Sequence, residues 1–405
     1  MKKITFIGDI TSDRPLLKAA KQDDGSYNFQ MVFSKTKDLF QKSDIVIGNL
    51  ETVCGGKIKD EFLLCNSPDE LIRDMKSGHI TCVTTANNHC LDQGIEGLSR
   101  TIDVLEKYNI AHTGTKKNKE DEGILYLKVG DCCIAVLSMT YSTNVNNTGI
   151  IFDEKNDYMV NVLRPQNIVF SGKKYKVFIK KLFLSILGTK NIRLLKRYIF
   201  RLKLKQGKSY MKAYTDIIQT DDTDNKYLNQ MLEYLNIARQ RADICFVVPH
   251  VGGQFNIEPG EYSVFLNRLL VDNGANAVVG HHPHIVQKIE KHSKKDNIIA
   301  YSIGSFNQSI SADYILHDAL PEYSIALHFY VADKNENSYI DTVSFSILKI
   351  IEDKNNMITV YPVDELAKEL NGKERIRLES DVKSIYLRIL GQNKEFPGFL
   401  KEYEL

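Results

Sequence analysis

Five short apolar runs in this chain each stop on side chains that can bind a proton or a metal. Residues 4–7 end in Gly8-Asp9, and residues 44–48 lead to Asn49-Leu50-Glu51. Residues 80–85 lead to Ala86-Asn87-Asn88-His89, and residues 243–248 to Pro249-His250. Residues 277–279 lead to Gly280-His281-His282-Pro283-His284. Runs of this length, rich in Val and Ile and closed by Gly, Pro or Asn, read as buried strands. Between them the apolar period changes. Ile95, Leu98, Ile102 and Leu105 share one stripe of a helix over 93–108, and Pro68 opens a second helix over 68–76. Further helices are expected over 30–42, 222–241 and 261–273. Alternation of strand and helix predicts parallel strands under covering helices, with the polar tips collected along one sheet edge.

The rhythm changes after His284. Strands are expected at 285–290, 297–303, 323–331, 341–350 and 357–361 with no helices between, which predicts an antiparallel meander. Together with two further strands near 124–128 and 132–138, both halves fit an α/β fold of two stacked mixed sheets with helices outside.

Residues 151–221 break the pattern. From Ser171 to Lys212 the chain carries fourteen Lys and Arg and no Asp or Glu, interleaved with Val, Phe, Ile, Leu and Tyr. Gly188 separates two helix-length pieces. Linkers are not this apolar, so a basic helical insertion is expected. A solvated lid and a surface that contacts an anionic membrane or a protein complex through 171–212 both suit it. Nucleic acid is not expected as a partner, because no nucleic-acid fold signature accompanies the charge. The main domain is then 1–150 with 222–365, and 366–405 is a C-terminal helical tail.

Global composition excludes little else. The net charge of +2 names no partner. Seven cysteines form no CxxC pair and read as reduced core thiols. Met1-Lys2-Lys3 runs directly into the first strand, with no signal-peptide core, and no apolar run reaches the ~18 residues of a membrane span. A cytoplasmic location is expected, with peripheral contact to the inner face of the membrane as its variant.

The strand tips carry the chemistry. Asp9, Asn49, Glu51, Asn88, His89, His250, His282 and His284 offer mixed oxygen and nitrogen donors, which suit Mn, Fe or Zn better than Mg or Ca. One or two such ions would hold a phosphoryl group for displacement. Gly280 is expected to turn the backbone sharply. In an extended His-Pro-His segment His282 and His284 fall on one side and His281 on the other. Asn49 and Asn88 also suit turn or helix caps. Asp92 reads as the start of the following helix, and Tyr301 and Phe306 as core. His112, in Ala111-His112-Thr113-Gly114, also lies at an expected strand end but as a lone histidine reads as structural, and His79, His292, His317 and His328 carry no motif and read as packed or solvated.

The ordered set Gly8-Asp9, Asn49-Leu50-Glu51, Ala86-Asn87-Asn88-His89-x-x-Asp92-x-Gly94, His250-x-Gly252, Gly280-His281-His282-Pro283-His284 and Tyr301-Ser302-Ile303-Gly304-Ser305-Phe306 resembles the CapA (poly-γ-glutamate capsule synthesis) family. That family is a relative of the calcineurin-like metallophosphoesterases. The resemblance implies a metallophosphatase-like four-layer α/β/β/α sandwich. It also implies a divalent-metal hydrolase of a phosphoester or amide-type bond, acting on an anionic polymer or phosphorylated substrate in capsule or exopolymer formation. It carries metal-ligand roles to Asp9, Glu51, Asn88, His250, His282 and His284, with Asn49 beside them. It makes His89 the general acid, and His250 and His284 join it at the reacting centre. The sequence departs from the superfamily pattern at Thr11, where a His is usual, and at Asn49, where an Asp is usual. Val251 and Gln254 replace Trp and Glu, and Ser305 replaces Asn. Thr11 and Asn49 favour the alternative, a non-catalytic assembly or polymer-handling protein that keeps the fold around a degraded site.

Overall fold

A computed structural model describes residues 1–58, 64–153, 155–167, 174–204, 215–292, 297–334 and 337–405. Its strands are β1 (Lys2–Ile10), β2 (Ile45–Leu50), β3 (Cys82–Thr84), β4 (Ala111–Thr113), β5 (Ile124–Val129), β6 (Cys132–Thr140) and β7 (Ile244–His250). They continue as β8 (Ala277–Val279), β9 (Ile289–His292), β10 (Asn297–Ala300), β11 (Tyr323–Lys334), β12 (Asn337–Glu352), β13 (Ile358–Pro362) and β14 (Tyr403–Glu404). They form an eight-stranded sheet in the order β13-β12-β11-β1-β2-β3-β4, with β14 on β12, and a six-stranded sheet in the order β5-β6-β7-β8-β10-β9.

The period-2 alternation of these strands decides the layers. Ile4 and Phe6 on β1, Phe246 on β7 and Phe329 on β11 turn inward and share the core between the sheets. Phe6 and Phe246 lie 5.0 Å apart, and Phe246 and Phe329 4.9 Å. Ile7 and Val46 face outward and pack under Leu71, Ile72, Met75 and Leu105 of the helices Asp69–Ser77 and Gly94–Lys107. Val247 and Val278 do the same on the second sheet, under the helices Lys226–Arg241 and Glu261–Asp272. The result is the four-layer α/β/β/α sandwich. The C-terminal helix Gly372–Leu390 adds Leu378, Val382 and Ile385 to the core between the sheets.

Two expectations change. The antiparallel meander is divided between the sheets: β11–β13 join the first sheet and β9–β10 the second, where β10 runs parallel to β8. The segment after β10 crosses from one sheet to the other, so strands consecutive in sequence are not neighbours in space. The expected helix over 30–42 is two short ones, Gln30–Ser34 and Lys37–Phe40. Between them the Thr36 hydroxyl donates to the Phe33 carbonyl (3.2 Å), a local bond of the kind that competes with the helical ladder.

The crossing segment is what brings the tips of both sheets together. Asp9 N donates to the Gly304 carbonyl and Phe306 N donates to the Asp9 carbonyl. A side chain at Gly8 would strike the Gly304 carbonyl, so glycine is required for that approach. Of the expected basic insertion, 168–173 and 205–214 lie outside the described residues. Lys174–Leu204 is helical and is interrupted at Gly188 (φ 68°, ψ 169°). Met159, Val160 and Val162, upstream of it, pack with Leu98 and Ile102. All seven cysteines are free. Among the described residues no helix is long and apolar enough to cross a membrane.

Candidate metal centre

Every tip named from the sequence reaches one buried cluster. Asp9 and Asn49 are register partners on the parallel pair β1 and β2, and Asn49 Nδ2 donates to Asp9 Oδ1 at 2.7 Å. Asn49 Oδ1 accepts from Thr84 Oγ1 at 3.1 Å, which fixes its amide. Asn49 Nδ2 also lies 3.2 Å from His250 Nδ1. With Nδ1 accepting, the remaining proton of His250 sits on Nε2, where the Asn88 Oδ1 accepts it at 2.6 Å. Asn49 and Asn88 therefore make polar contacts across strands, and neither caps a turn or helix.

Glu51 sits at the centre. It is 0% exposed, and neither carboxylate oxygen has a hydrogen-bond partner. Its neighbours are imidazoles: His250 Nε2 at 3.4 Å, His284 Nδ1 at 3.7 Å and His89 Nε2 at 3.8 Å. Burial pushes the Glu51 carboxyl above its usual range, against the pull of His284. Asp9 goes the other way. Burial opposes its charge, but His281, His284 and His250 outweigh burial and hold it well below the usual carboxylate range. Burial drives His250 and His282 well below the ordinary imidazole value.

The His281–His284 segment differs from the extended reading. His282 (φ 98°) and His284 (φ 61°) both adopt left-handed backbone, which for non-glycine residues costs on the order of 1–3 kcal/mol each. The turn is therefore made at the histidines and not at Gly280. Glycine is needed at 280 because a side chain would meet the Tyr301 carbonyl. The twist also brings His281 into the cluster, where its Nδ1 donates to Asp9 Oδ1 at 2.9 Å. His282 Nδ1 approaches His250 Nε2 (3.1 Å), and Tyr141 OH lies 2.9 Å from its Nε2. His284 Nδ1 lies 2.9 Å from Ser305 Oγ and 3.4 Å from Asp9 Oδ2.

His89 stands at the more open side, its side chain 18% exposed. Its Nδ1 meets Asp92 Oδ2 at 2.5 Å, leaving Nε2 toward Glu51. Burial disfavours its charge, but Cys65 and Asp92 overcome that and hold its pKa well above the ordinary value. Asp92, near the start of the helix Gly94–Lys107 as expected, thus orients His89 and also accepts from Cys65 N (2.6 Å). Tyr301 and Phe306 are buried in the cores, as expected.

Sequence reasoning left out Tyr141, Ser305, Cys65 and Asn144. Tyr141 directly follows β6, so the strand-tip rule that found the others also reaches it. Asn144 Nδ2, which donates to Asp92 Oδ1 at 3.3 Å, carries no such signal.

The donor set fits a divalent transition ion. Glu51, His250 and His282 offer ligand atoms within 4.8 Å of one another, and so do Asp9, Glu51 and His284. The carboxylate shared by both triads is the one left without a partner. A buried carboxylate with no hydrogen bond is costly, and a cation among its imidazoles would remove that cost.

The family model for bacterial capsule synthesis proteins (PGA_cap) matches residues 3–309. The PGA biosynthesis protein CapA of Bacillus subtilis (strain 168) is 25% identical over 308 residues, covering 75% of this chain and 62% of that protein. The capsule biosynthesis protein CapA of Bacillus anthracis is 22% identical over 310 residues, covering 75% of this chain and 59% of that one. The chain thus spans about 60% of the length of these curated relatives. The crystal structure of the calcineurin-like phosphoesterase YfkN from Bacillus subtilis aligns at a TM-score of 0.39 and 10% identity, covering 95% of this chain and 97% of that one.

Proposed function

The chain belongs to the bacterial capsule synthesis protein family, and from that premise we propose that it is a divalent-metal-dependent hydrolase of capsule or exopolymer formation. Its target would be a phosphoester or amide-type bond in an anionic polymer or its precursor. The observation that carries this reading is Glu51, a fully buried carboxylate without a hydrogen bond, ringed by His89, His250 and His284 and shared by two ligand triads.

Asp9, Glu51, His250, His282 and His284 would hold the metal. Once bound, it supplies Lewis acidity and a water acidic enough to act as nucleophile near neutral pH. The chain's own residues do the rest. Asp92 fixes the His89 ring with Nδ1 engaged, so the Nε2 proton points into the cluster, where it can be given to the leaving oxygen or nitrogen. His281 and Asn49 both donate to Asp9 Oδ1, which holds that carboxylate ionised and in one orientation. Tyr141 plays the same orienting part for His282.

A second reading rests on Asn49 and Thr11. Asn49 occupies with a hydrogen bond the place where a second carboxylate would add charge, and Thr11 N is tied to Asn307 Oδ1 (2.9 Å) with no imidazole to offer. A site one carboxylate and one imidazole poorer suits a polymer-handling protein that does no chemistry. Metal analysis of the purified chain and hydrolysis of a generic phosphodiester with added Mn²⁺ separate the two. The hydrolase reading expects bound transition metal, its loss in His282→Ala, and a fall of roughly 10²–10⁴-fold in rate in folded His89→Ala. No bound metal and no hydrolysis would leave the polymer-handling reading.

A further inference from the structure

The helix Lys174–Leu204 breaks the rule that apolar side chains are covered. Among the described residues, eleven of the exposed large hydrophobic side chains lie on it. On its first piece Tyr175, Phe178, Ile179, Leu182, Phe183 and Ile186 recur at alternating intervals of three and one and form one stripe, with Phe178 68% and Ile186 70% exposed. Past the break at Gly188 a second exposed stripe runs from Leu194 to Leu202. Exposed lysines, Lys176, Lys180 and Lys181, are interleaved with the first stripe, and the helix contains no acidic residue.

We propose that this kinked helix docks on an anionic lipid surface, its apolar stripes entering the headgroup boundary and its lysines meeting lipid phosphate. Three observations select that occupant. The helix is too short in apolar run and too often interrupted by charge to cross a bilayer. A second copy of the same face would set lysine against lysine with no carboxylate to relieve it. Nucleic acid would satisfy the charge but leave the long aliphatic stripes in water.

The docking surface is tethered beside the metal centre. Lys196 Nζ donates to Asn147 Oδ1 (3.4 Å) in the short helix Val145–Thr148, which begins directly after Asn144. Asn144 Nδ2 in turn bonds Asp92, the residue that orients His89. A bilayer bound along Lys174–Leu204 would therefore lie on the His89 side of the cluster, and the substrate it implies is one held at the membrane. That last step rests on the hydrolase reading; the docking does not.

The test is co-sedimentation of the full chain with phosphatidylcholine vesicles, with and without phosphatidylglycerol, in the absence of substrate and added metal. Phosphatidylglycerol should raise the partition coefficient by about tenfold or more, with the gain shrinking as salt rises. The double variant Phe178→Glu/Ile186→Glu should return binding to the phosphatidylcholine level with an unchanged circular dichroism spectrum. Lys176→Gln should lower it by several-fold, on the order expected for one surface charge. Binding indifferent to phosphatidylglycerol, or a double variant that binds as well as its parent, would overturn the proposal. So would light scattering that shows a parent dimer made monomeric by the double variant. Because binding is read without catalysis, loss of the hydrolase reading leaves it standing, and the converse holds.

Discussion

Around Glu51 the molecule buries charge, and along Lys174–Leu204 it exposes hydrocarbon. Both reverse the usual distribution, but for different reasons. At the strand tips, two carboxylates and several imidazoles are held by rigid sheets, and the hydrogen bonds among them leave one carboxylate unserved. On the kinked helix nothing of the described chain covers the apolar stripes, and the lysines between them stay in solvent. Each region leaves a physical demand unmet, the first a buried carboxylate without a hydrogen bond and the second an exposed apolar face. The contrast teaches that burial alone does not mark a binding region; unmet physical demand does.

The largest effect separates a packed aromatic from an exposed one. Phe246→Ala should cost about 3–5 kcal/mol in urea unfolding, since its ring fills the space between Phe6 and Phe329. Phe178→Ala should stay within about 0.5 kcal/mol. A comparable loss at Phe178 would mean that the helix is covered in solution, and the comparison would collapse.

Next comes the carboxylate itself. Because burial raises the Glu51 pKa, the folded state takes up a proton that the unfolded chain releases above its ordinary value, so stability is lost as pH rises from there. Glu51→Gln should remove that loss, stabilising the metal-free protein by about 1–3 kcal/mol at neutral pH and by little near pH ~4. The same variant should abolish the gain of about 2.7 kcal/mol that a cation at a hundredfold excess over Kd gives the parent. Thermal melts with chelator and with Mn²⁺ check both signs. A Glu51→Gln protein that still responds to Mn²⁺ would remove Glu51 from the site.

The last comparison uses a buried histidine outside the cluster. His328 lies between Thr5 Oγ1 (2.8 Å) and Ser346 Oγ (3.0 Å), and burial lowers its pKa to about 3. The folded state keeps it neutral while the unfolded chain protonates it below about pH 6.5, so stability falls as pH drops toward the folded value. The contribution is about 1.4 kcal/mol per pH unit, and His328→Gln should remove it from a urea series between pH ~6 and ~4. Vesicle binding should stay flat over that range, because the helix carries only Lys, Arg and Tyr as titrating groups.

Much of the site was legible because strand tips are a local property. Asp9, Asn49, Glu51, Asn88, His89, His250, His282 and His284 each follow an apolar run within a few residues, and parallel strands place such ends on one edge. Asp92 was visible three residues beyond His89, but its partner was not, since a residue before a helix serves equally well as a helix start. His281 was misplaced because period-2 logic assumes extended backbone, whereas His282 and His284 adopt left-handed conformations. The late meander failed for a related reason: strand order within a sheet follows which cores close, and the Gly304–Phe306 crossing routes adjacent strands to different sheets.

The sequence by itself determined which side chains end strands and which segment carries unbroken positive charge, since both are written in a few consecutive residues. Only the tertiary structure decided that Asp9, Glu51, His250 and His284 lie within a few ångströms of one another, and that Glu51 is the group left without a partner. Those residues are separated by up to hundreds of positions. Their distances are fixed by the Phe6–Phe246–Phe329 core that holds the two sheets face to face, a term no local pattern contains.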